Sequence, residues 1–400
     1  MIWCAAILEI GLIAICLAGI LHAMLASLYL GEWQREKLGA DVADTKSPPL
    51  TLLRPIKAGV PALREKLMEL ARAMRAGDRL VLGVDDASPE AEIADSVRAE
   101  FAEREIAVVR CRPGAALNPK ISKLVQMEPA TVGEHLVLSD SESRIDAAWL
   151  DAFRREWAAS GADAMTCGYR FAGGTSWVQA LDAAPTLFSL WPGLMFVRRF
   201  GRVNFTLGAC TGLRRNDLAS VGGWAAFAEE LAEDNRLGAA LAKAGRTIRL
   251  SQQVATLESD PQTWRDFWRH QRRVAVTYRV CNPAGFAGMI FTHSAWVGIL
   301  LAALPPIEPE WRWTWLVMWV AVQLTRRLSF RDFAKTIGFS RTRLLSTMLV
   351  SDAVESVCWF LAWISPTVWW SGKRWRISRG GKLLPAEKAQ SSTANCRSIS

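Results

Sequence analysis

Residues 2–30, IWCAAILEIGLIAICLAGILHAMLASLYL, contain a single certain charge, Glu9. A stretch of that length and apolarity is long enough to span a bilayer. A cleaved signal peptide needs a basic start and a shorter apolar core, and the opening Met1-Ile2-Trp3-Cys4 offers no basic residue. Residues 1–31 are therefore expected to stay as a transmembrane anchor. Arg35 and Lys37 follow it, so the segment after the anchor is expected in the cytoplasm.

The chain turns apolar again after Pro283. FAGMIFTHSAWVGILLAALPPI (286–307) and WRWTWLVMWVAVQL (311–324) read as two spans joined by a short acidic turn, EPE. A basic block, 326–343, follows. A last apolar stretch, 344–370, contains Asp352, Glu355 and Pro366, and the tail 371–400 is strongly basic. A simple span over 344–370 would place that tail outside, against the positive-inside rule. Span, re-entrant and interfacial readings all remain open for it, within C-terminal membrane segments at 286–370. Of 19 tryptophans, Trp3 and ten from Trp296 to Trp375 lie near the chain's ends, as suits membrane interfaces. The net charge of +9 is concentrated beside these apolar segments, which points to an anionic membrane surface rather than to nucleic acid. The eight cysteines form no CxxC pair, which argues against a zinc site and a disulfide framework.

Between the apolar ends, residues 48–282 alternate apolar runs with amphipathic stretches, the pattern of an α/β sheet. TLLRPI (51–56), LVLGVDD (80–86), IAVVRC (106–111) and HLVLS (135–139) read as strands. PALREKLMELARAM (61–74) and PEAEIADSVRAEFAERE (89–105) read as helices. Two strands end in acid, at Asp85-Asp86 and at Asp140-Ser141-Glu142. Ligands of such sheets sit at the carboxyl ends of the strands. No GxGxxG follows the first strand and no GxxxxGK[ST] occurs, which argues against a dinucleotide and a P-loop. Carboxylates near a diphosphate make sense with a cation between them, and Mg²⁺ takes one or two carboxylates plus phosphate oxygens. Asp140 and Glu142 alternate as they would on one side of an extended chain. Either acid cluster alone also reads as a solvated turn. Lys120, in the loop between the clusters, is a candidate phosphate contact or a plain loop lysine.

Taken in order, VDDASPE (84–90), NPKISKL (118–124), DSESRID (140–146), LGACTGLRRNDLASVGG (207–223), LAEDNRLGAAL (231–241), RHQRRVAVTYR (269–279) and WWSGKRWRI (369–377) make a set that covers most of the chain. In this set the chain resembles the ceramide glucosyltransferase family, lipid-acceptor members of the inverting nucleotide-sugar glycosyltransferases. The resemblance implies a GT-A, Rossmann-like α/β domain in the cytoplasm over 48–282. It implies a UDP-sugar donor, a Mg²⁺ or Mn²⁺ ion and a membrane-lipid acceptor, in a bacterial inner membrane. The family's first aspartate falls on Asp86, which would help hold the nucleotide. Its second, a metal and diphosphate ligand, falls on Asp140, with Glu142 as a further candidate metal ligand. Lys120 and Arg273 would face the nucleotide-sugar. Asp234, in the AED element, would be the general base, and Glu230 and Glu233 ordinary helix-start charges. The family's [QR]-x-x-R-W element reads His270-Gln271-Arg272-Arg273-Val274 here, so Val274 stands where relatives have tryptophan.

The implied reaction is the attack of a lipid hydroxyl on the anomeric carbon of UDP-glucose, with ceramide as acceptor. Transfer from UDP-N-acetylglucosamine to a hopanoid, which bacterial relatives carry out, is the alternative. A non-catalytic membrane scaffold is the reading from another class. His22 is expected to pack or sit at the interface rather than to ligate, and His270 has no partner at metal-binding spacing. Arg214-Arg215 are expected to cap a strand end.

Overall fold

The computed structural model describes residues 2–36, 47–172, 176–258, 263–292, 311–330 and 341–385. Helix α1, Ile2–Arg35, runs four residues past the expected end of the anchor. At 1.5 Å per residue it is about 51 Å long, against a hydrocarbon core of about 30 Å. The excess is used. Tyr29, Leu30 and Trp33 are buried against Phe188, Trp191 and Leu194, while Ile7, Ile10, Leu17 and Leu21 stay exposed as lipid-facing side chains would be.

The soluble part opens with β1 (Leu50–Pro55), α2 (Leu63–Ala73), β2 (Arg79–Asp85), α3 (Pro89–Glu100), β3 (Glu105–Cys111), α4 (Pro119–Met127) and β4 (His135–Ser139). The four strands are parallel and adjacent, in the order β3-β2-β1-β4. The expected helix 89–105 stops at Glu100, where Phe101 leaves helical geometry and the chain turns into β3. Then come α5 (Ala147–Ser160), β5 (Ala164–Ala172), α6 (Trp177–Pro185), α7 (Trp191–Phe200), β6 (Cys210–Arg214), α8 (Arg215–Ser220), α9 (Glu233–Lys243) and β7 (Ile248–Glu258). Strand β6 lies antiparallel between β4 and β5, and β7 pairs parallel with β5, giving a seven-stranded sheet in the order β3-β2-β1-β4-β6-β5-β7.

Period-2 alternation sorts the side chains between two faces. Leu52, Leu80 and Leu82 point to the layer of α2, α3 and α5, and Leu53 and Val81 to the layer of α4, α8 and α9. A buried ion pair ties α5 to the start of the sheet. Arg154 Nη2 lies 2.6 Å from Asp78 Oδ2, and Asp78 Oδ1 also accepts from the Leu50 amide at 2.8 Å.

One membrane-type element falls inside the expected soluble domain. Helices α6 and α7 are joined by a π-helical turn, Thr186–Leu190, into a helix from Trp177 to Phe200 that is long and apolar enough to cross a membrane. Among the described residues two others meet that description, Ile10–Arg35 and Ser346–Ile364. The expected span 286–307 lies mostly outside the described residues. After α10 (Trp264–Cys281) and the short α11 (Pro283–Gly288), the description resumes at α12 (Trp311–Ser329) and α13 (Arg341–Ile364).

Helix α12 packs along α1, and α13 packs on α6 and α10. The acid inside the last apolar stretch is accounted for: Asp352 Oδ1 lies 3.0 Å from Arg326 Nη1, both buried. Glu355 accepts from Ser189 Oγ at 2.5 Å and Ser351 Oγ at 3.1 Å. His22 stacks on Phe196 with ring centroids 4.6 Å apart, a packing role as expected. Beyond α13, the end of the last apolar stretch, expected as part of the membrane segments up to 370, and the start of the expected basic tail fold together as a three-stranded antiparallel sheet, β8 (Thr367–Trp370), β9 (Lys373–Ile377) and β10 (Leu383–Pro385), against α10 and the loop before α9. The rest of the tail, 386–400, lies outside the described residues.

Candidate active site

The carboxyl edge of the sheet gathers the expected residues unevenly. Strand β4 ends at Ser139, and the backbone turns at once, the Ser143 amide donating to the Asp140 carbonyl at 3.1 Å. The extended chain expected for 140–142 is therefore a turn, and its two acids part. Glu142 Oε1 takes Lys57 Nζ at 3.2 Å and its Oε2 takes Ser141 Oγ at 2.9 Å. Burial works to raise the Glu142 pKa, yet Lys57 and Ser141 hold it below the usual range. The Asp140 amide instead donates to the Ala209 carbonyl at 3.3 Å, tying Asp140 to the segment that precedes β6.

Asn118 organises the other side. It caps α4, its Oδ1 accepting from the amides of Lys120 at 2.9 Å and Ile121 at 3.2 Å, with Pro119 in the first turn. Its Nδ2 donates to the Glu230 carbonyl at 2.8 Å and to Glu233 Oε2 at 3.0 Å. One buried side chain thus joins the NPK element to the acid helix α9. Lys120 Nζ then reaches two carboxylates, Asp140 Oδ1 at 2.7 Å and Glu233 Oε1 at 3.1 Å. Glu233, expected as an ordinary helix-start charge, is part of the cluster. Its role shows only once the fold sets Lys120 beside the start of α9.

Asp234 stands in the first turn of α9, where the helix dipole favours negative charge. Its carbonyl accepts from Thr206 Oγ1 at 2.6 Å. Gly238, one turn on, abuts the Phe205–Thr206 backbone with no room for a Cβ, which lets α9 close on the irregular segment that leads to β6. The turn at the end of that segment carries Gly208. A Cβ there would stand 3.0 Å from Asp140 Oδ2, 3.2 Å from Asp234 Oδ2 and 3.3 Å from Lys120 Nζ. Asp140, Asp234 and Lys120 therefore converge on one glycine. Gly208 and Asp234 also line a small cavity with Glu233, Thr206, Leu207 and Trp224.

Burial, and after it the charge of Glu233, pushes the Asp234 carboxyl up to about 7, with Lys120 opposing. Burial alone would lower the Lys120 pKa, but Asp140, Glu233 and Asp234 hold it above the ordinary lysine range. Burial also raises Asp140, again against Lys120. Beneath them lies a residue that the sequence reading passed over. Arg54, fully buried on β1, donates from Nε and Nη2 to Ser139 Oγ at 3.2 and 3.1 Å. Its Nη1 has no hydrogen-bond partner among the described residues. Burial depresses its pKa to about 10, and Cys210, Asp140 and Glu142 act against that fall. A charge below a strand end leaves no periodic trace in sequence, so only the fold reveals it.

The remaining candidates lie around this cluster. Asp86 is exposed after β2, its amide donating to the Cys111 carbonyl at 3.2 Å, while Asp85 pairs with Lys123 at 2.9 Å. Arg273 is half-buried on α10 and forms no ion pair among the described residues. The half-buried Tyr169 lies in the fields of Asp234, Asp182, Arg273 and Asp140, and desolvation raises the pKa of its hydroxyl. The other letters of the His270–Val274 element are structural. His270 Nδ1 and Gln271 Nε2 meet Asp182 Oδ1 at 2.5 and 2.9 Å, and Arg272 Nη2 reaches the Ser365 carbonyl at 3.2 Å. Val274 is half-buried beside Arg273.

A divalent ion fits part of this donor set. Asp140 turns Oδ1 to Lys120 and Oδ2 to the gap at Gly208, and a hard cation takes one or two carboxylates plus phosphate oxygens. Glu142, held by Lys57, does not face that gap as it stands. No group of three or more His, Cys, Asp or Glu side chains among the described residues is arranged to hold a metal. An ion here would need the donor's phosphates to complete its shell.

Solved structures similar to the chain include a mannosyltransferase from Pyrobaculum calidifontis in complex with GDP-Man and Mn²⁺. It is 18% identical with a TM-score of 0.46, over 86% of this chain and 98% of that one. TarS 1-349 of S. aureus, in complex with UDP-GlcNAc, is 13% identical with a TM-score of 0.38, over 84% and 99%. Glucosyl-3-phosphoglycerate synthase from Mycobacterium tuberculosis is 17% identical with a TM-score of 0.36, over 60% and 81%. No curated protein matches the sequence. The match that decides the matter runs from residue 11 to residue 383, from the anchor through the acid helix to the C-terminal sheet. By that match the chain belongs to glycosyl transferase family 21, the ceramide glucosyltransferase family its motifs resemble, and is a glycosyltransferase.

Proposed function

We propose that the protein is a membrane-bound inverting hexosyltransferase that moves glucose from UDP-glucose to the hydroxyl of a membrane lipid such as ceramide. The convergence of Asp140, Asp234 and Lys120 on Gly208, at the carboxyl edge of the sheet, carries this reading. The lipid hydroxyl oxygen attacks the anomeric carbon as the bond from that carbon to the diphosphate breaks. The bonding pair leaves with UDP, and the hydroxyl proton passes to Asp234. A carboxylate in that place works best with a pKa near the working pH. Lys120 and Arg273 meet the diphosphate's negative charge, and Asp86 lies on the nucleotide side. When bound, Mg²⁺ or Mn²⁺ on Asp140 would neutralise the charge that develops on the leaving diphosphate. One displacement inverts the sugar and needs no covalent enzyme intermediate. The apolar helices support an acceptor that enters from the bilayer, with the sheet domain on the cytoplasmic side.

Val274 favours a second reading. A valine where relatives carry tryptophan leaves more room beside Arg273, which suits the larger UDP-N-acetylglucosamine and a hopanoid acceptor. A non-catalytic scaffold would have no need to hold three charged groups on one glycine. The test is transfer by purified protein from labelled UDP-glucose and UDP-N-acetylglucosamine to ceramide and hopanoid lipids, with Asp234→Asn as control. Near wild-type turnover by a folded Asp234→Asn protein would refute the base assignment. Absence of any UDP binding by calorimetry would favour the scaffold.

A further inference from the structure

The start of α9 is not fixed by its own sequence. Its cap residue, Ala232, supplies no side-chain hydrogen bond to the helix's free amides. Asn118 holds this entry from one side, through the Glu230 carbonyl and Glu233. The other side is held by the chain's C-terminal sheet. After β9, a turn over Ser378–Gly381 delivers the Gly381 carbonyl to the Leu231 amide at 3.0 Å, and the Leu383 amide donates to the Glu229 carbonyl at 2.7 Å. These two backbone bonds bracket the residues just ahead of Glu233 and Asp234.

Arg236 locks the same joint. Its Nη2 donates to the carbonyls of Gly380 and, at 3.2 Å, Val280, and its Nε stands 3.4 Å from Glu230 Oε2. It therefore ties α9 to the C-terminal turn and to the end of α10, the helix that carries Arg273. Leu231, Trp375, Ile377 and Leu383 bury together with Val276 and Val280 behind it. Gly381 has a φ of +94°, and a Cβ there would stand 2.8 Å from Arg236 Nη2 and 3.4 Å from Glu230 Oε2. The turn needs glycine for its backbone and for the space that Arg236 occupies.

We propose that the turn 378–381 is a clasp, with Gly381 and Arg236 as positioning residues that set where Asp234 stands relative to Lys120, Asp140 and Arg273. The proposal rests on the reading of Asp234 as the base. It gives the C-terminal sheet a task in the reaction although none of its residues lies in the acid cluster. Only Ser365 and Pro366 separate α13 from β8, so the clasp also ties the base to a membrane helix.

The test uses the full chain in lipid nanodiscs, as wild type, Gly381→Val, Arg236→Ala and Arg236→Lys. Hydrogen exchange at the amides of 229–236, calorimetric UDP affinity, and kcat and KM with UDP-glucose and ceramide are measured. Gly381→Val and Arg236→Ala are expected to speed exchange at Leu231 and its neighbours by roughly tenfold or more. They should lower kcat by on the order of 10²-fold, as misplacement by about 1 Å does, while UDP affinity and KM hold. Arg236→Lys, which keeps a donor, should recover part of both. Unchanged exchange in both variants overturns the clasp, and so does faster exchange with unchanged kcat. If Gly381→Val fails to accumulate, Arg236→Ala decides alone. If the wild type transfers sugar from neither UDP-glucose nor UDP-N-acetylglucosamine, the base reading is what fails. Exchange then decides the clasp by itself: faster exchange in the variants upholds it and unchanged exchange overturns it.

Discussion

Replacing Gly208 with alanine adds one methyl group at the point where three charged groups meet. The backbone at Gly208 is not in the left-handed region, so alanine costs no strain of its own there. The methyl would lie 3.0 Å from Asp140 Oδ2, 3.2 Å from Asp234 Oδ2 and 3.3 Å from Lys120 Nζ, tighter than ordinary carbon contacts. Each neighbour must move by a few tenths of an ångström. The methyl also fills the gap that Asp140 Oδ2 faces and strips water from two carboxylates, a cost of about 1–3 kcal/mol for each polar group left unsatisfied. Displacing Asp234, the proposed base, and Asp140, the proposed diphosphate-binding acid, together should lower kcat/KM by about 10²–10³-fold, the scale of losing one preorganised charge contact worth about 2.7–4 kcal/mol. The assay is initial-rate transfer from labelled UDP-sugar to lipid in nanodiscs, with a melting curve to show that the fold is intact. An alanine variant that melts normally and turns over within about threefold of wild type, well under 1 kcal/mol in barrier, would refute the convergence argument.

Three further outcomes follow from the same geometry. Because the folded-state pKa of Asp234 is raised to about 7, the site binds its proton more tightly when folded, and that stability is lost as pH rises from the ordinary carboxylate range through about 7. Without donor or metal, Asp234→Asn should therefore melt higher than wild type at pH 8 and gain progressively less as the pH falls toward 4, as calorimetric scans would show. Arg154→Ala leaves Asp78 charged and buried without its partner, so it should destabilise the sheet domain by about 3–5 kcal/mol in denaturant titrations. Asp352→Ala removes the buried carboxylate that pairs with Arg326 and should lower thermal stability, whereas the double change Asp352→Leu with Arg326→Met should recover most of the loss.

The four parallel strands β1 to β4 were legible as short apolar runs ending in turn residues or acid; both faces of the sheet are covered there, so Leu52 and Leu53, or Val81 and Leu82, are apolar although they go to opposite layers. Two things hid from that reading. Trp177–Phe200 looks like one more amphipathic stretch, because about two thirds of its apolar window is covered by protein rather than lipid. The basic tail reads as a charged end, yet along β9 Trp375 and Ile377 point inward at alternate positions while Lys373, Arg374 and Arg376 point out, and Leu383 of β10 joins the same buried cluster. In the site, Asp234, Asp140 and Lys120 were found from ordered motifs, since each motif is local. Glu233, Arg54 and the pairing of Glu142 with Lys57 arise from contacts between distant segments, which no single stretch of sequence displays.

Between β5 and β6, neighbours in the seven-stranded sheet, the chain leaves through the helix from Trp177 to Phe200 and comes back to deliver Gly208. The sheet is thus attached to apolar helices at its front through α1, in its middle through α6 and α7, and at its end through α13. Three attachments define a plane, where a single tether defines only a radius. On the proposed reading, a domain held in this way would keep one height and one tilt above the bilayer, so the sugar would be offered at a fixed depth and the acceptor chosen as much by where its hydroxyl floats as by its shape.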